Sequence, residues 1–175
     1  MAPLNKAPIQ ERNFMQNAKD SFYMALRNRL AAIDPDRTIL LRGTERPGIF
    51  VEEAEASYSQ LPADVFVLRW TGQGVDPNLA STMIAAQCEV LYQTSGTQAY
   101  GGLDRGRALS VMDKELLEML QPFSTAKMNY TVSPVVQLQT KVFWSEPLYG
   151  TIVTERDQLS RTVSVTVYSY QEQGE

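Results

Sequence analysis

The stretch MIAAQCEVLYQT, from Met83 to Thr94, alternates along its length: Ile84, Ala86, Cys88, Val90 and Tyr92 fall on one side, and Gln87, Glu89 and Gln93 on the other. Successive side chains of an extended chain point to opposite faces, so this pattern predicts a strand with one face on a core and the other toward solvent. A polar, glycine-bearing loop then leads into GRALSVMDKELLEML, Gly106 to Leu120. There Leu109, Met112, Leu116 and Leu120 follow i, i+3, i+7 and i+11, the stripe of an amphipathic helix, which Leu117 and Met119 broaden. Asp113, Lys114, Glu115 and Glu118 fall mostly off that stripe, and Pro122 ends the helix. A strand of this kind belongs to an antiparallel sheet solvated on one side, not to a parallel sheet covered on both.

Working outward, Phe14, Ala18, Phe22, Leu26 and Leu30 recur every fourth residue between about Arg12 and Ile33, which predicts a first long helix. Pro35 closes it, because proline disfavours a helical residue before it. Strand-like pieces follow in TILLRG (38–43), GIFVEEAEAS (48–57) and DVFVLRW (64–70), and GQGVDPN (72–78) reads as a turn. Late in the chain VVQLQTKVFW (135–144) places Val136, Leu138, Thr140, Val142 and Trp144 on one face. LYGTIVTERDQL (148–159) suggests a short strand leading into a loop. RTVSVTVYSYQ (161–171) sets Val163, Val165 and Val167 against Thr162, Ser164, Thr166 and Tyr168. The order predicts a single α+β domain over 1–175: a mostly antiparallel sheet with two main helices packed on one face. Residues 1–11 and 171–175 are expected to be flexible, and 122–134 to be an irregular insertion.

The 175 residues carry a net charge of −4, with 43% hydrophobic and 21% charged residues, as a globular domain does. That balance argues against a concentrated basic face for nucleic acid, and no apolar run suits a membrane span. One cysteine, Cys88, leaves no intrachain disulfide framework. There is no histidine. Ser-His-Asp and Cys-His nucleophiles, imidazole metal sites and the commonest general base are therefore excluded.

The loop from Gly96 to Gly106 begins as G-x-x-x-x-G but continues Gly102, Leu103 where a phosphate-binding loop needs lysine and a hydroxyl. It reads as a turn made by Gly101 and Gly102, with Asp104 starting the helix as its N-cap. Cys88 reads as a small buried side chain. Glu52 points away from Glu53 and Glu55 if the segment is a strand, so these carboxylates do not converge on a metal. Trp144, Tyr149, Tyr168 and Tyr170 read as aromatics available to a partner. No catalytic, cofactor-binding or metal residue is assigned.

Laid end to end, RNFMQNAKDSFYMALRNRLAAI, then MIAAQCEVLYQT passing through a glycine-bearing loop into GRALSVMDKELLEML, then TVSVTVYSY, resembles the tail terminator and related tail-completion (head–tail joining) proteins of long-tailed bacteriophages and phage-derived particles. The similarity of order and pattern runs from about Arg12 to Tyr170. It implies a structural virion or prophage protein, assembled in the bacterial cytoplasm. In that family one α+β domain forms a homo-oligomeric ring that caps the tail tube and joins tail to head. Tail-tube and head-completion proteins would be its partners, with no cofactor, nucleic acid or membrane. A small-molecule-binding or histidine-free enzymatic α+β domain, using carboxylates in a sheet cavity, is the alternative, and a bacterial protein sharing only the architecture is a third.

Overall fold

The computed structural model describes residues 13–55, 60–76, 81–97 and 99–172. Helix α1 (Asn13–Ile33) is followed by a two-stranded hairpin, β1 (Thr38–Leu41) and β2 (Thr44–Pro47), then β3 (Ile49–Val51) and a one-turn helix α2 (Glu52–Glu55). Two long strands follow, β4 (Phe66–Asp76) and β5 (Met83–Thr94), then helix α3 (Arg105–Met119). The chain ends with β6 (Ser124–Asn129), β7 (Val136–Trp144), β8 (Leu148–Tyr149), β9 (Val153–Glu155) and β10 (Gln158–Tyr170). The main sheet runs β3-β4-β5-β10-β7-β6, and β8 and β9 also pair with β10. Among the described residues only β3–β4 is parallel, and every other pair is antiparallel. The protein is thus an α+β domain with a mostly antiparallel sheet. Among the described residues no helix is long and apolar enough to cross a membrane.

The alternation in Met83–Thr94 holds: Ile84, Ala86, Cys88, Val90 and Tyr92 are buried and join Val163, Val165 and Val167 of β10 in one core. Ala18, Phe22, Leu26 and Leu30 of α1 and Leu109, Met112, Leu116 and Met119 of α3 belong to the same core. Phe22 sits at its centre, edge-on to Trp144 at 5.0 Å and to Trp70 at 5.9 Å. Edge-to-face geometry sets the positive ring edge on a negative face and adds to the burial of these large side chains. A smaller cluster of Leu41, Phe50, Val65 and Val67 is covered by Ile39 and Leu61.

Several expectations need correction. GIFVEEAEAS does not stay extended: after Val51 the chain turns into α2, because the Glu55 carboxylate reaches back to accept the Val51 N–H at 3.0 Å. GQGVD is not a turn but the second half of β4, paired with β5 across a register shift between Trp70 and Gly72. Glycine there marks a bulge, as it often does inside strands. The segment 122–134 contains β6, which pairs with β7. Ser21 of α1 bonds both groups of Met128, its Oγ accepting the N–H at 2.8 Å, and Arg29 donates to the Ser124 carbonyl at 3.1 Å. Helix side chains thereby satisfy the outer edge of β6, a common protection for an edge strand. Of the segments expected to be flexible, 1–11 and 171–175, residues 1–11 and 173–175 lie outside the described residues. Gln171 and Glu172 are bonded, Gln171 through its N–H to the Thr82 carbonyl.

Candidate functional site

At the glycine loop, Gly96 and Gly101 both have left-handed backbone, φ +70° and +67°. A Cβ on Gly96 would stand 2.7 Å from Asp104 Oδ1, so this position admits only glycine without a shift. Asp104 does sit at the N-cap of α3, yet its side chain makes no capping bond. It turns back instead to accept the Thr97 N–H at 2.8 Å and the Thr97 hydroxyl, and these bonds hold its carboxyl below its ordinary range. A carboxylate thus closes the loop where a phosphate-binding loop would offer bare amides.

Cys88 is buried, and burial pushes its thiol up to about 12. In α2, which is helical and not extended, Glu52 takes a two-point ion pair from Arg69 at 2.6 and 3.0 Å, and Glu55 pairs with Arg46 at 2.5 Å. Among the described residues no group of three acids, cysteines or histidines is placed to hold a metal ion. Of the four aromatics read as available, Trp144 is core, 4% exposed, with its indole N–H on the Leu120 carbonyl at 2.9 Å. Tyr149 is at the surface, Tyr168 stacks on Phe143 at 5.4 Å, and Tyr170 leans on the same ring.

Three polar clusters escaped the sequence reading. Glu115, expected off the apolar stripe, is buried and paired with Arg37. Asp113 receives Arg161 at 2.7 Å and the hydroxyl of Tyr92, while Tyr149 donates to its carbonyl at 3.1 Å, tying β8 to α3. Lys127, at the irregularity between Ala126 and Met128, is fully buried and donates to Ser169 and Tyr170 at 3.0 and 2.9 Å. Each joins residues distant in sequence, and a charge within an amphipathic pattern gives no sign of a partner that tertiary packing supplies.

Three features face outward. An open groove of about 450 Å³ lies between α1 and the end of β3, walled by Tyr23, Val51, Ala54 and Trp70, with Lys19 over the Trp70 ring at 5.1 Å. Burial and the neighbouring Glu55 charge push the Tyr23 hydroxyl up to about 12. On the opposite flank of the sheet, residues 148–155 are all exposed, including Leu148 at 72%, Ile152 at 49% and Val153 at 51%. A further apolar set, Tyr130, Val132, Val135 and Val136, surrounds the β6–β7 connection. No protein-family model matches the chain, and no curated protein does.

Proposed function

We propose that this chain is a structural virion or prophage protein, a tail terminator or head–tail joining component that assembles into a homo-oligomeric ring. Tail-tube and head-completion proteins are its partners in this reading, and its place is the virion, after assembly in the bacterial cytoplasm. We also infer that α1 and α3 cover one face of the sheet, leaving the other face and both flanks for contacts. The observation that carries the proposal is the run of exposed apolar side chains on the flank formed by β8 and β9, since contiguous apolar surface marks sites of association. A ring needs one patch to meet a different patch on the next copy, and the groove side of the sheet and the β8–β9 flank are two such surfaces. Light scattering coupled to size exclusion, across a concentration series, reads the mass, and negative-stain images of the large species should show annuli. A protein that stays monomeric and fails to bind the tail-tube protein encoded beside it overturns the reading.

A second reading rests on the groove at Trp70 and Tyr23, whose size suits a small ligand. Tight, saturable binding of a metabolite that Trp70→Ala abolishes, in a strictly monomeric protein, would favour it.

A further inference from the structure

Besides the outer edge of β6, which α1 bonds, the sheet leaves two stretches of strand edge without a strand beside them among the described residues, one on β4 and one on β8–β9. Strand β4 is covered by β3 only at Phe66–Leu68, so among the described residues its outer edge from Arg69 to Asp76 has no strand beside it. Residues 71–75 there are all exposed, and Gly74 has open space around it. This stretch carries no proline or lysine of the kind that usually guards such an edge. Across the sheet, β8 and β9 form an interrupted strand along β10 from Leu148 to Glu155, bonded in between through the Gly150 N–H to Thr162, and its other side is open. Both open edges are eight residues long.

We propose that these two edges pair, so that residues 148–155 of one copy add as a strand to Arg69–Asp76 of the next and the sheet continues from subunit to subunit. The proposal deepens the ring reading and rests on it. Direction supports it: β4 runs antiparallel to β5, β5 to β10, and β10 to β8 and β9, so the donated strand meets β4 antiparallel, like most pairs in this sheet. Register supports it too. Setting Glu155 across from Arg69 also sets Val153 across from Thr71 and Tyr149 across from Val75. In that register faces match: Arg69 and Glu155 point to the same side as Gln158 and Glu89, while Val75 and Tyr149 share the side of Ile84 and Val163. Two exposed apolar side chains, Val75 and Tyr149, are then covered, while Arg69 keeps its pairing with Glu52. The Arg156–Asp157 turn ends the donated strand where β3 and the acidic α2 turn close the edge.

The stagger sets the tilt of the continued sheet. Arg69 is level with Glu89 on β5, whereas Glu155 lies just beyond the level of Thr94. Each neighbour is therefore displaced by about six residues, roughly 20 Å at ~3.3 Å per residue, over a lateral repeat of about four strand spacings of ~4.8 Å. The resulting tilt of about 45° is that of strands in closed barrels.

The test is disulfide trapping in the full chain. Thr71→Cys together with Val153→Cys should give, on oxidation, a ladder of linked subunits, and a mixture of the two single variants should give only the mixed dimer. The native Cys88 is buried and does not compete. Val75→Lys, which replaces the apolar partner of Tyr149 on the open edge, should weaken assembly about threefold to fivefold, the worth of one cross-strand pair; thermal melts check that each variant is folded. Annular particles without any ladder overturn the edge pairing and leave the ring reading intact. Homodimers from either single-cysteine variant overturn it in favour of like-with-like edge pairing. A folded monomer with no annuli overturns both.

Discussion

Arg37 and Glu115 meet in a two-point pairing, with Nε 2.6 Å from Oε2 and Nη2 3.0 Å from Oε1. The two residues lie 78 positions apart, and both side chains are nearly withdrawn from water, 12% and 8% exposed. The pair fastens the connection after α1 to the third turn of α3, and Arg37 also donates to the Asp64 carbonyl at 2.9 Å. Removing one partner strands the other charge, so Arg37→Ala should cost about 3–5 kcal/mol in urea unfolding. Replacing both by methionine should recover most of that loss. Equal and small effects for single and double variants would mean that water screens the pair.

The apolar stripe of α3 makes a sharper demand. Met112 and Leu116 have no exposed surface. Truncation at such sites costs about 2–5 kcal/mol, and a buried carboxylate adds to it. Met112→Asp or Leu116→Asp should therefore yield insoluble protein or a melt lowered by tens of degrees. A variant melting like the parent would show that the stripe faces solvent or a partner.

Stability should fall in alkali, and the sign follows from two raised groups. Tyr23 moves from 10.0 to about 12 and Cys88 from 9.0 to about 12, both chiefly through burial. Between those limits the unfolded chain has released protons that the native protein keeps, so unfolding is favoured as pH rises. Their contribution is complete below pH 9 and is lost on the way to 12. Melting temperature against pH should decline in that window, and Tyr23→Phe should flatten the decline. At neutral pH, Cys88 should resist thiol reagents until the protein unfolds.

At the glycine loop, Gly96→Ala should cost about 1–3 kcal/mol, because it imposes both a left-handed backbone on a residue with a Cβ and a collision with Asp104. Calorimetry with MgATP, MgGTP and NAD should show no saturable binding there. Micromolar binding abolished by Gly101→Val would contradict this.

Strict periodicity was the part of the architecture that could be read directly. The every-fourth stripe from Ala18 to Leu30 and the two-residue alternations at Ile84–Tyr92 and Val163–Val167 each name a buried face, because local geometry alone decides which side chains align. Composition misled where partners decide. Gly72 and Gly74 looked like turn residues but lie within a ladder whose pairing comes from β5. Glu52, Glu53 and Glu55 looked extended, but a single backward bond from Glu55 winds them into a helical turn. Trp144 alternates onto an inward face, yet the helix carbonyl that takes its N–H comes from Leu120, which no strand pattern announces. The groove and the two open edges depend on where β3 stops relative to β4, a property of the assembled sheet.

Arg29 reaches from α1 to three carbonyls, those of Met119 and Pro122 at 2.8 and 2.9 Å and of Ser124 at 3.1 Å. One cation thus receives the outgoing end of a helix, the bend beyond it and the first residue of the next strand. Withdrawal of Arg29 strips a charged hydrogen bond from all three at once. Amide exchange at the end of α3 and along β6 should accordingly follow a common clock, set by the release of α1 rather than by either element's own fraying.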